Sequence, residues 1–308
     1  MKAVIKAENL SKWYGNVLGI SEISLDITPG IKGLLGPNGA GKSTFLKIIS
    51  GQLKPNIGKI TIFDEPVFSN QRIFSRIGFC PEHECYYRGN TGWQQVLFMA
   101  KLHGFNQKEA EEKTEAAIDK VGLLDNKDKH IREYSLGMKQ RLKFATAIVH
   151  EPDVLLLDEP LRGIDPLWRV KIVQIIKDFE KAGKIVIEAS HILPEIEAMT
   201  NDIILIHQGK IFAQGDIHYI RDLMDKHPHM ISVECAQSRK LAALLIEKEY
   251  ISNIQFHPNG KKITFNTNQR DQFFDLLNRL IVEHNLDIEE ITSPDDNLQA
   301  VFDYLVGK

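Results

Sequence analysis

The sequence predicts an α/β fold followed by a smaller α+β unit, and three observations carry that reading. A glycine-rich loop, GPNGAGKST at 36–44, stands between a short apolar run and a helix start. A second apolar run, VLLLDEP at 154–160, ends on two adjacent acids. After about residue 217, strand and helix signals restart as though a new unit had begun.

The elements follow in order. VIKAEN (4–9), SEISLDI (21–27) and GKITIFDEPV (58–67) are rich in β-branched residues and partly alternate, which predicts an antiparallel β layer. Residues 31–35 (IKGLL) read as a strand and 43–50 (STFLKIIS) as a helix, one on each side of the glycine-rich loop. TGWQQVLFMAKLHG (91–104) and QKEAEEKTEAAIDKVGLL (107–124) have helical spacing and helix-forming composition. DVLLLDEP and KIVIEAS (184–190) read as buried strands, with LWRVKIVQIIKDFEKAG (167–183) a helix between them that stops at Gly183. DIILIHQGKIFAQG (202–215) reads as a hairpin turning at Gln208-Gly209. A boundary is expected at 217–228, where RDLMDKHPH is charged and breaks at Pro228. Beyond it, MISVECA and KKITFNT read as strands, SRKLAALLIEKEY and QRDQFFDLLNRLIVEH as helices.

The chemistry begins with the glycine-rich loop, which fits G-x-x-x-x-G-K-S/T from Gly36 to Ser43. Glycines at 36, 39 and 41 let successive N–H groups turn inward on phosphate oxygens. Asn38 and Ala40 complete the curl, and Thr44 opens the helix whose positive end sits beneath the phosphates. Lys42 is placed to reach the outer phosphates, and Ser43 to offer a hydroxyl to Mg²⁺. In VLLLDEP, Asp158 is expected to hold the metal and Glu159 to act as the base that activates water. In YSLGMKQR (134–141), Ser135 precedes a long helical run (KQRLKFATAIV), an arrangement that taken alone is an ordinary helix cap before it is an anion site.

Composition narrows the field. With 43% hydrophobic and 26% charged residues, the chain reads as an ordinary soluble globular protein of roughly two domains. A net charge of −3 gives no electrostatic case for nucleic acid. No apolar run approaches the ~18 residues a membrane helix needs, and MKAVIKAENL lacks the features of a signal peptide. Three cysteines fit a reducing compartment.

In combination, GPNGAGKST, YSLGMKQR, VLLLDEP and the lone histidine of IEASH resemble the ATP-binding subunits of ABC transporters over about residues 3–217. The resemblance implies a RecA-like P-loop ATPase core with an antiparallel β subdomain and an inserted helical subdomain at about 85–150. The ATP-binding domain would be 1–217, and 218–308 an accessory α+β domain. It implies ATP and Mg²⁺ as ligands, with Tyr14 stacking on adenine; the alternative for Tyr14 is a half-buried core aromatic. Ser135 and Gly137 would close on the γ-phosphate held by Lys42 of a second copy. Asp165 would lie at that dimer interface, and His191 would contact the γ-phosphate. A separate transmembrane permease would hold the homodimer at the inner face of the cell membrane, most similarly to the separate ATPase subunits of bacterial exporters. A soluble ATPase acting on ribosomes or DNA, or a nucleotide-gated regulator, are the competing readings.

The chain departs from the family pattern at three places. Glu82 stands where the family has glutamine, and would approach Mg²⁺ or water. Leu136 replaces the usual glycine of the signature, and Met138 stands where glutamine is commonest. Arg162 replaces a small residue in the dimer-interface loop, where it is expected either to pair across the dimer or to be solvated. Cys80, His83 and Cys85 cluster but match no common zinc spacing. Tyr86, Tyr87 and Trp93 read either as anchors for the membrane subunit or as packing of the helical subdomain.

Overall fold

A computed structural model describes residues 4–87, 89–217 and 229–293. Its contacts divide into two compact units, Met1–Asp216 and Ile217–Lys308. The segment 218–228, in which the sequence places a boundary, lies outside the described residues.

The first unit contains two sheets. β1 (Ile5–Tyr14), β2 (Val17–Ile27), β4 (Ile57–Ile62) and β5 (Glu65–Pro66) form an antiparallel sheet in the order β2-β1-β4-β5. β3 (Gly30–Leu35), β6 (Ile77–Cys80), β7 (Val154–Asp158), β8 (Ile185–Ser190), β9 (Asp202–His207) and β10 (Lys210–Asp216) form the other, ordered β10-β9-β3-β8-β7-β6. Its four pairings from β9 to β6 run parallel, and only β10 is antiparallel. The β9–β10 turn uses Gln208 (φ 45°) and Gly209 (φ 79°), two residues in the left-handed conformation that a tight hairpin demands.

Alternation along the parallel strands sorts their side chains into two cores. Val154, Leu156, Ile185 and Ile187 join Phe45, Leu46, Ile48 and Ile49 of α1 (Lys42–Ile49) and the inner face of the antiparallel sheet. Leu155, Leu157 and Val186 join the other helices. These are α3 (Gly92–Leu102), α4 (Gln107–Lys120), α5 (Leu136–Ile148) and α6 (Pro166–Lys181). Short helices α2 (Gln71–Phe74) and α7 (Leu193–Glu197) complete the unit. Burial on both faces explains why β7 and β8 are predominantly apolar. Capping fixes the helix starts: Thr91 with Gln94 and Asn106 with Glu109 make reciprocal boxes, and Asp165 caps a helix with proline in its first turn.

The second unit runs β11 (His229–Cys235), α8 (Ser238–Leu245), β12 (Ile251–Phe256), β13 (Lys262–Thr267), α9 (Arg270–His284), β14 (Ile288–Thr292). Its antiparallel sheet is ordered β12-β13-β11-β14, the split βαββαβ pattern of ferredoxin-like domains. Ile231, Val233, Ile263 and Phe265 pack on Leu241, Phe273 and Leu277 to form a core of its own. Among the described residues no helix is long and apolar enough to cross a membrane.

Candidate nucleotide-binding and hydrolysis site

The parallel sheet brings the sequence motifs to one edge. The C-terminal ends of β3, β6, β7 and β8 lead into Gly36, Glu82, Glu159 and His191 respectively. Ligands of open α/β sheets bind at such an edge.

The loop after β3 needs its glycines for distinct reasons. A Cβ at Gly36 would stand 2.2 Å from the Ile206 carbonyl oxygen. At Gly41 it would stand 2.7 Å from the Gly19 carbonyl, and φ there is 107°. Gly39 (φ 79°) has open space beside it; Asn38 and Gly39 are exposed, whereas Ala40 is buried. Lys42 is buried, and its ammonium donates to the carbonyls of Gly36 (2.6 Å) and Pro37 (3.2 Å). Burial pulls the Lys42 pKa down, against the opposing pull of Glu159, Asp158 and Glu82.

Asp158 ends β7, buried, with the Ser43 hydroxyl beside its carboxylate. Burial raises its pKa, and the charges of Glu82 and Glu159 add to the rise, while Ser43 and Lys42 oppose it. Glu159 follows with φ 51°, a left-handed conformation that costs a side-chain-bearing residue energy. Three contacts hold it. Its N–H donates to the Ala189 carbonyl (2.9 Å), its carbonyl accepts from Gln140 Nε2 (3.0 Å), and the same Gln140 nitrogen reaches Pro160 O (3.0 Å). The backbone therefore turns the Glu159 carboxylate away from Asp158 and onto His191, whose Nδ1 lies 2.7 Å from Oε1. A carboxylate only accepts, so the ring donates from Nδ1 and keeps Nε2 as its second polar atom.

Tyr14 closes the β1–β2 hairpin and is 46% exposed. Its hydroxyl lies 3.3 Å from Thr44 Oγ1, and a Cβ on Gly19 would meet its ring at 3.0 Å. The ring thus stands beside the first turn of α1. Ser135 and Gly137 form a separate cluster. Ser135 Oγ accepts from Met138 N (3.2 Å) as the cap of α5. A Cβ on Gly137 would approach the Gly163 carbonyl to 3.0 Å, and Leu136, 64% exposed, covers the Gly163 Cα. Among the described residues no hydrogen bond joins Ser135 or Gly137 to the loop 36–44 of the same chain. Asp165 caps α6 by accepting from Trp168 N (3.1 Å).

The Arg162 guanidinium pairs with Glu82 of the same chain while 64% of its side chain stays exposed. Lys143 holds the same segment through the carbonyls of Pro81 (2.8 Å) and Glu82 (2.7 Å). Tyr86 and Trp93 pack against the helical core, which leaves Tyr87 as the exposed member of that trio. No group of three potential metal ligands forms among the described residues, Cys80, His83 and Cys85 included. Sequence reasoning missed Gln140, which lay in plain view within MKQR. It also missed the Arg169–Glu195–Ser190 chain (2.9 and 3.3 Å) that braces the strand end before His191. Neither motif spacing nor periodicity signals contacts made across such distances in sequence.

A strand–loop–helix phosphate cradle with an adjacent acid pair at the sheet's C-terminal edge defines a P-loop nucleoside triphosphatase. Residues 20–162 match the family model described as ABC transporter. The bacitracin transport ATP-binding protein BcrA of Bacillus licheniformis is 32% identical across all of this chain and 98% of that protein. The daunorubicin/doxorubicin resistance ATP-binding protein DrrA of Streptomyces peucetius is 29% identical over 98% of this chain and 92% of its own length. A solved ATP-binding subunit of an ABC transporter shares the fold at a TM-score of 0.65, with 24% identity, 72% of this chain and 93% of that one. The chain belongs to the ATP-binding subunits of ABC transporters: it binds and hydrolyses ATP to energise a membrane transporter.

Proposed function

We propose that the edge of the parallel sheet is the hydrolytic site and that Glu159 is its general base. The observation that carries this reading is the Glu159–His191 contact beside the Asp158–Ser43 pair. In this reading the phosphates of ATP rest on the N–H groups of 36–44, with Lys42 swinging from its loop carbonyls to the outer phosphates. Tyr14 stacks on the adenine. Glu159 accepts a proton from the attacking water, and His191 holds the carboxylate through Nδ1 while Nε2 addresses the γ-phosphate. The donor set also fits magnesium: a hydroxyl and a carboxylate, Ser43 and Asp158, stand side by side, while the Glu82 carboxylate at the same edge is paired with Arg162 instead. Bound there, the ion would neutralise charge on the transferring phosphoryl group.

Ser135 and Gly137 stand apart from the loop of their own chain, which suits a head-to-tail homodimer in which each signature closes on its partner's nucleotide. Residues 1–217 would form the ATP-binding domain, with its helical subdomain at about 85–150, and 218–308 an accessory domain. Exposed Tyr87, Phe98 and Leu102 offer an apolar patch for a separate permease. The subunit would then sit peripherally on the cytoplasmic face of the cell membrane, with no role for nucleic acid. The transport and resistance proteins among its relatives favour export as the direction. Purification of the tagged protein from native membranes in mild detergent tests the assembly. A stoichiometric polytopic membrane protein is the expected partner; recovery with ribosomal or nucleoid proteins alone would overturn the transporter assembly.

A further inference from the structure

The Glu82–Arg162 pair joins two segments that leave neighbouring strands. Glu82 lies just beyond β6, and Arg162 lies in the turn that follows Glu159, its N–H donating to the Glu159 carbonyl (3.3 Å). Three acids therefore converge on the edge that must receive a polyanion: Glu82, Asp158 and Glu159. Glu82 is close enough for its charge to be felt at both Asp158 and Lys42. Lys42 is the buried cation of the loop, while Lys143 is spent on the carbonyls of Pro81 and Glu82. The Glu82 carboxylate thus has Arg162 as its counter-ion.

We propose that Arg162 is a positioning residue for ATP hydrolysis: by pairing with Glu82 it cancels the extra charge at the nucleotide edge. It also ties the segment after β6 to the turn between Glu159 and Asp165. The proposal rests on the reading of this edge as the hydrolytic site. Remove Arg162, and the Glu82 carboxylate opposes the phosphates and loses its fixed position; remove both charges, and the opposition disappears.

A double-mutant cycle tests it, with ATP affinity measured by calorimetry alongside KM and kcat. Arg162→Ala is expected to weaken ATP binding about tenfold in the presence of Glu82, and less than about threefold when combined with Glu82→Gln, a coupling within the range found for contacting residues. Raising the salt concentration should shrink the first effect, because screening weakens the repulsion. A purely structural role predicts instead that the two losses multiply, with melting temperature falling in step. Additive losses, or an Arg162→Ala variant that binds ATP like the wild type, would overturn the proposal. Glu159→Gln separates the two levels: its loss of turnover tests the site, whereas only non-additivity in the cycle tests Arg162.

Discussion

Glu188 shows what a single residue can cost this fold. It lies in the middle of β8, paired in register with Gly33 and Leu157, on the strand face that turns Val186 into the helical core. It is fully buried, and neither carboxyl oxygen has a hydrogen-bond partner among the described residues. Burial pushes its pKa well above 4.5, reinforced by the charges of Glu195 and Glu159. Above that ordinary value the unfolded chain releases the proton while the folded chain keeps it, so stability falls as pH rises toward the folded pKa. Glu188→Leu should remove the unsatisfied group and stabilise the protein by about 1–3 kcal/mol at neutral pH. It should also flatten the pH dependence across that window. Thermal or urea unfolding from pH 5 to 8 checks both; an unchanged slope would mean that the carboxyl has a partner after all.

At the scale of elements, α5 organises the site. One helix carries the Ser135 cap at its start, Gln140 beneath the turn of Glu159, and Lys143 beneath the segment of Glu82. Gln140→Ala would leave the Pro160 carbonyl without this donor and the Glu159 carbonyl with the Arg162 N–H alone, and relax the left-handed turn at Glu159. We expect kcat to fall with KM little changed, since the phosphate loop is untouched, together with a destabilisation of about 1–3 kcal/mol. A wild-type kcat would show that the β7–β8 hydrogen bond suffices to hold Glu159. The elements also show where the sequence was legible. β7, β8 and α6 stood out because burial on two faces, or on one helical stripe, leaves a strong apolar pattern. β12 and β14 did not, because they are edge strands whose side chains are mostly exposed, as in ISNIQF and IEEIT. The ends of α4 and α8 were read too far, through VGLL and IEKEY, because apolar residues beyond a helix continue its pattern without its hydrogen bonds.

At the scale of the molecule, motifs scattered over 150 residues of sequence meet because parallel strands place their C-terminal ends on one edge. Lys42, Ser43, Asp158 and Glu159 were legible as candidates because phosphate, metal and proton transfer each demand particular groups at set spacings, and His191 through the family resemblance. The Arg162–Glu82 pair was not, since two loop residues 80 positions apart reveal a contact only once β6 and β7 are seen as neighbours. The same edge explains the division of labour. Among the described residues no hydrogen bond joins the phosphate loop to the signature cluster of the same chain, and turnover is expected to require two copies. Glu159→Gln with Mg-ATP puts this to its most direct test, with ATPase rate and molecular mass measured on the same sample. The variant should bind ATP, lose about 10²–10⁴-fold in turnover, the usual contribution of a general base, and persist as a nucleotide-bound dimer. Hydrolysis at the wild-type rate would contradict the assignment of Glu159, and a variant that binds ATP yet stays monomeric would contradict the closure of two copies on the nucleotide.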